Sequence, residues 1–143
     1  MKNKSLLFLC TGNSCRSQMA EGLCNYYLGS QINCYSAGIE KHGLNPFAVT
    51  VMNELNIDIS HYKSKTLDEL DVKFFDFVIT VCSDADENCP TFMSSTKMIH
   101  KSFDDPPKLA EGLKENEEIL FQYRKVRDEI KNYIKSLPEI FNI

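Results

Sequence analysis

The chain has 143 residues, a net charge of −4 and a pI near 5.4. That length suits one domain, taken as residues 1–143, with a real core and no need of staples. The acidic balance gives no bulk electrostatic reason to bind nucleic acid or an anionic membrane, and no apolar run is long enough to span a bilayer. Met1-Lys2-Asn3-Lys4 leads straight into a strand pattern rather than a leader, so a cytoplasmic protein is expected. Six cysteines in such a chain read as buried small hydrophobes plus a few reactive thiols, not as a disulfide framework.

The apolar run Leu6 to Leu9 predicts a buried strand, and Gln18 to Leu28 predicts an amphipathic helix stopped by Gly29. Between them lies Cys10-Thr11-Gly12-Asn13-Ser14-Cys15-Arg16-Ser17, a cysteine and an arginine with five residues between them in a strand-to-helix turn. In that geometry the amides of residues 11 to 16 curl around a tetrahedral oxyanion at a helix N-terminus, and Arg16 forks two of its oxygens. Gly12 is expected to permit close backbone approach, and Asn13 to tolerate a left-handed backbone. The same donors favour a Cys10 thiolate, and Ser17 is placed to hydrogen-bond its sulfur or to cap the turn. A bare C-x5-R is common by chance. Set between a strand and a helix, with glycine and asparagine inside, it is far more specific.

Further along, Asn33 to Gly38 predicts a strand, and Asn45-Pro46 opens a helix to about Leu55 with Val49, Met52 and Leu55 inward. Ile57 and Ile59 anchor a connection, and Ser64 to Leu70 suits a short capped helix. Phe75 to Val81 is the clearest strand pattern and delivers Cys82 at its end; a strand near Lys97 to Phe103 leads to Asp104-Asp105-Pro106-Pro107. Lys108 to Asn116 reads as a mobile surface stretch. A last helix from about Glu117 to Leu137 ends before Pro138. Alternating strands and helices predict an α/β sandwich with a parallel sheet, ligands binding at the carboxyl ends of its strands. Cys10, Cys82 and Asp105 then share one rim.

Asp105 suits a general acid that protonates an oxygen leaving a thiol-bound oxyanion, with Asp104 the fallback. Cys82 and Cys89 enclose small and acidic residues. If helical, seven residues span ~10.5 Å, beyond the ~7 Å limit between the Cα atoms of a disulfide. The segment is therefore a loop, or a helix that unwinds on oxidation. The spacing is wrong for a zinc knuckle, and Asp84 and Asp86 lack the glycine and distal glutamate of a calcium loop, so no metal is assigned. A redox pair fits better. His42, His61 and His100 stand isolated and receive no role.

Leu9 to Gly22 resembles the thioredoxin-coupled arsenate reductases, which share the fold of low-molecular-weight protein tyrosine phosphatases. The resemblance extends through Tyr35 to Glu40, Asp58-Ile59-Ser60, Val81 to Asp86, Asn88-Cys89-Pro90, Phe103 to Pro106 and Arg124 to Ile130. It implies a three-layer sandwich with a four-stranded parallel sheet. It also implies Cys10 as nucleophile, Cys82 and Cys89 as resolving thiols, Asp105 as acid, and Thr11 to Ser17 as the oxyanion cradle with Arg16. Arsenate or phosphate would be bound, thioredoxin would be the partner of a monomeric protein, and no cofactor is implied. The phosphatase branch lacks the Cys82/Cys89 pair and places tyrosines where Pro107-Lys108 stand here. Lys65 stands where some members carry an acidic residue of a cation site. A phosphatase is the alternative enzyme; an oxyanion sensor that turns nothing over is the alternative of another class.

Overall fold

A computed structural model describes residues 3–143. Met1 and Lys2, from which no leader was expected, and the side chains of Asp84 and Asp86, weighed above for calcium, lie outside the described residues. Four strands, β1 (Lys4–Cys10), β2 (Ile32–Gly38), β3 (Phe77–Thr80) and β4 (Lys97–His100), form one parallel sheet in the order β2-β1-β3-β4. The central strand β1 is buried continuously from Leu6 to Cys10, as a strand covered on both faces must be. Because the chain leaves β1 toward β2 on one side and returns as β3 on the other, the winding order reverses between β1 and β3. That is where a crevice opens beyond the strand ends.

The helices are α1 (Arg16–Leu28), α2 (Pro46–Asn53), α3 (Ser83–Glu87), α4 (Pro106–Leu109) and α5 (Asn116–Phe141), with one 3-10 turn at Leu67–Glu69. α1 packs on β2 and α5, and α2 packs on α5. Asn45 caps α2 as expected, its side-chain oxygen accepting from the amides of Phe47 at 2.8 Å and Ala48 at 3.3 Å. The cap sets the helix phase so that Ala48, Val51 and Met52 are buried, while Val49 and Leu55 pack only partly. Glu54 at its end binds Arg124 and Arg127 of α5, and the Arg124 hydrogen bonds hold its carboxyl below the usual range.

Gly29 ends α1 as expected, in a right-handed conformation. The structure corrects three expectations. Pro138 lies inside α5, which runs on to Phe141. A proline there removes a helix hydrogen bond at a cost of about 3 kcal/mol. The offset is burial of Leu137 and Phe141, the latter stacked on Phe77 at 3.8 Å between ring centroids. The stretch after Asp105 is not all irregular: Pro106 and Pro107 open α4, their fixed φ suiting a first turn. Finally, Cys24 of α1 and Cys34 of β2 form a disulfide, their Cα atoms 6.2 Å apart because α1 lies directly on β2.

Cys10, Cys15, Cys82 and Cys89 lie outside this bridge as thiols. Thiol titration of the denatured, unreduced protein is therefore expected to return four thiols rather than six. Cys34→Ala, by opening the small loop this bridge closes, should lower stability by about 2–3 kcal/mol in a denaturant melt.

Candidate active site

The turn between β1 and α1 is held from outside, carbonyl by carbonyl. The amide of Ile39 donates to Cys10 O at 3.0 Å, Glu40 to Thr11 O at 2.8 Å, His42 to Gly12 O at 2.9 Å and Asn45 to Ser14 O at 3.0 Å. Ser64 Oγ adds a second bond to Gly12 O at 2.8 Å, and Gln18 Nε2 donates to Asn13 O at 3.1 Å. With its carbonyls drawn outward, the turn is a preorganised anion cradle at the start of α1, which no side chain caps. Cys10, Thr11, Gly12, Ser14, Cys15 and Arg16 line a cavity of about 370 Å³, and His42, Asp105 and Pro107 form its rim.

Asn13 and Ser17 stand behind that floor, both fully buried. Asn13 takes the left-handed backbone expected of it, with φ 48°. Its Oδ1 accepts from the backbone amide of Lys65 at 2.9 Å and from Gln18 Nε2 at 3.0 Å. A backbone amide only donates, so the orientation of the carboxamide is fixed. Its Nδ2 therefore donates to Ser17 Oγ at 2.8 Å and to Ser36 Oγ at 3.0 Å. Having accepted that hydrogen bond, Ser17 directs its own hydroxyl hydrogen to Cys10 Sγ, 2.8 Å away, a bond that the sulfur accepts best as a thiolate. Ser36 in turn donates to Glu21, which is paired with Lys65 Nζ at 3.5 Å.

Arg16 donates from Nη1 to Phe103 O at 2.9 Å and lies 3.7 Å from Asp105 Oδ1 through Nη2. Asp105 is the N-cap residue of α4, yet its side chain makes no capping bond and turns toward the cradle instead. Asp104 is exposed and does not line the cavity. Cys15 shares the floor with Cys10, but burial pushes its thiol far above the usual range, with the nearby Asp105 carboxylate adding to the rise.

Cys82 reaches the cradle from the end of β3, against Thr11. Val81 N donates to Leu9 O at 2.9 Å, so the next residue lies beside the cradle, where Cys82 Sγ meets Thr11 Oγ1 at 3.2 Å. Cys89 is not brought there. It follows α3, half-buried, next to a second and larger cavity of about 560 Å³ whose walls include Leu9, Phe75 and Phe92. α3 therefore settles the alternative for this state of the protein: a short helix separates the two cysteines.

Sequence reading passed over His42. Its imidazole lies on Gly12, where any Cβ would collide with Nδ1, so the glycine makes room for a side chain as well as for an anion. Nothing in the local pattern announces this; the contact exists because β2 returns beside the cradle. Among the described residues, no cluster of His, Cys, Asp or Glu is arranged to hold a metal ion.

Residues 5–141 match the family model of low molecular weight phosphotyrosine protein phosphatases. The chain is 50% identical over 139 residues to an arsenate reductase of Bacillus subtilis (strain 168), covering 97% of this chain and 98% of the relative. It is 50% identical over 131 residues to an arsenate reductase of Staphylococcus aureus (strain N315), covering 92% and 93%. Among solved structures it superposes on an arsenate reductase in the phosphate binding state with a TM-score of 0.79 and 29% identity, covering 94% and 95%. A low molecular weight protein tyrosine phosphatase from T. tengcongensis superposes with a TM-score of 0.75 and 29% identity, covering 96% and 99%.

The two thiols on the cavity floor should differ sharply. Iodoacetamide at pH 6–7, followed by peptide mapping, is expected to label Cys10 and leave Cys15 untouched. Ser17→Ala should slow the Cys10 reaction by about tenfold at pH 6, the loss of one charge-assisted hydrogen bond.

Proposed function

Since the chain belongs to the low molecular weight phosphotyrosine protein phosphatase family, and carries two thiols, Cys82 and Cys89, besides those of the cradle, we propose that it reduces arsenate to arsenite. It does so as one catalytic domain, residues 1–143. The observation that carries this reading is the 3.2 Å contact between Thr11 Oγ1 and Cys82 Sγ, which brings a second thiol against a residue of the Cys10 cradle. A phosphatase has no use for that thiol. The half-identical relatives named arsenate reductases support the same choice.

Arsenate sits in the cradle of Thr11 to Ser17, its oxygens on the turn amides and the Arg16 guanidinium. The Cys10 thiolate, favoured by Ser17, attacks arsenic, and Asp105 protonates the oxygen that leaves as water. Cys82 then attacks the Cys10 sulfur. The sulfur–arsenic bond breaks, its electron pair passes to arsenic, and arsenite departs from a Cys10–Cys82 disulfide. Cys89 attacks Cys82, frees Cys10 and leaves a Cys82–Cys89 disulfide for thioredoxin to reduce. No metal or organic cofactor enters this scheme. We place the protein in the cytoplasm as a monomer; among the described residues no helix is long and apolar enough to cross a membrane. Phosphate fits the same cradle, so slow aryl-phosphate hydrolysis accompanies the main activity.

Arsenate-dependent oxidation of NADPH through thioredoxin reductase and thioredoxin tests this reading directly; Cys10→Ser should abolish it. Aryl-phosphate hydrolysis without arsenate reduction would establish the phosphatase instead. With Cys89→Ser the chemistry should run once, giving one equivalent of arsenite and a Cys10–Cys82 bridge on non-reducing peptide mapping. A Cys10–Cys15 bridge would refute the relay.

Asp105→Asn keeps the shape and loses the proton. Turnover should fall by ~10²–10⁴ while oxyanion binding changes little. A larger loss from Asp104→Asn would reassign the acid.

A further inference from the structure

We propose that His42, steered by Glu40, is a second catalytic proton donor, serving the release of the reduced oxyanion; the assignment rests on the arsenate-reductase reading. The need for it lies in the stoichiometry. A hydrogen arsenate dianion and two thiols become neutral arsenous acid, water and a disulfide, and two protons are taken up beyond those of the thiols. Arsenic gains the electron pair of the sulfur–arsenic bond, the two sulfurs are oxidised, and the oxygens left on arsenic must be protonated as it departs. Asp105 gives its proton when the adduct forms. It must be recharged before it can act again.

His42 is the other ionisable side chain on the rim. Its Nε2 is 2.7 Å from Glu40 Oε2. With Glu40 ionised, the carboxylate accepts and that nitrogen carries a proton. The opposite nitrogen, Nδ1, lies against Gly12 in the cradle floor. The ring therefore spans from an exposed carboxylate, open to water, to the oxyanion cavity, and an imidazolium there can give its Nδ1 proton to an arsenic-bound oxygen and regain one from the solvent side. Its backbone amide on Gly12 O, and that of Glu40 on Thr11 O, tie the segment to the cradle. The charged and titratable groups around it are Glu40 on its own segment, Cys10, Cys15 and Arg16 on the floor, and Asp105 across the mouth. Lys41 is engaged with Glu69.

Hydrolysis of p-nitrophenyl phosphate is the internal control, because it needs Asp105 for the leaving phenolate and produces no reduced oxyanion. In rapid-quench single turnovers of the reduced protein, His42→Ala should slow arsenite release by about 10²-fold, a loss at least tenfold larger than its loss in p-nitrophenyl phosphate hydrolysis. Added imidazole should restore arsenite release. His42→Gln, which keeps a polar side chain but has no proton to give, should behave as His42→Ala does. The pH–rate profile of arsenite release should lose its fall at high pH in both variants. Equal losses in the two reactions, an unaffected rate of arsenite release, a fully active His42→Gln protein or failure of imidazole to help would each overturn the assignment. Wild-type protein that hydrolyses p-nitrophenyl phosphate but releases no arsenite would overturn the parent reading itself, whatever the His42 variants do.

Discussion

The constraint on which the site depends is the fixed orientation of one buried carboxamide. Asn13 sits in a left-handed conformation between the cradle and the core. Two donors reach its oxygen, one of them a backbone amide that cannot reverse roles. Everything downstream follows from that single direction. The amide nitrogen must donate to Ser17 and Ser36, and Ser17 must then donate to sulfur. A glutamine, one methylene longer, would carry its carboxamide past these partners, and an aspartate would reverse the donor at Ser17. The hydroxyl of Ser17 would then turn away from Cys10 and toward the carboxylate. Asn13 is thus required twice, by its backbone and by its side chain.

The second level of organisation is the segment from Ile39 to Asn45, which follows β2 around the cradle and captures its carbonyls. A turn of this kind, left to itself, is free to aim its amides anywhere. Here the outward pull on the carbonyl oxygens makes inward amides the consequence of ordinary backbone bonding, so little reorganisation is needed when an anion arrives. Gly38, at the end of β2, belongs to the same arrangement: a side chain there would meet Thr11 O and Asn13 N at 2.8 Å. Gly38 does not line the cavity, yet it decides its shape.

Much of this was legible in the sequence, and what was not has physical reasons. The buried run of β1, the Asn45-Pro46 start of α2 and the turn between β1 and α1 are local patterns, and the structure has all three. The shared rim of Cys10, Cys82 and Asp105 follows from parallel strands, because β1, β3 and β4 all run the same way. Pro138 misleads because local propensity at one residue is outweighed by the burial of Leu137 and Phe141 around it. The Cys24–Cys34 pairing depends on how a helix lies across a strand, and the place of His42 on how β2 returns to the cradle. Neither relation is written in the spacing of the residues concerned.

The last element to place is α3, whose five residues stand between Cys82 and Cys89. A helix of barely more than one turn has few hydrogen bonds to set against the entropy of ordering it, so its stability comes from packing. Among its described side chains, only Ala85 is buried, and a methyl group is a small anchor. β3 immediately before it is held by ladder bonds on both sides, to β1 and to β4. The chain therefore changes character at Cys82: ladder-bonded strand behind it, a helix of about one turn ahead of it. In the proposed relay the thiol that meets the Cys10 adduct must be fixed, and the thiol that finally resolves the disulfide must travel. Cys82 is delivered by the end of the sheet, and Cys89 by the segment that follows α3.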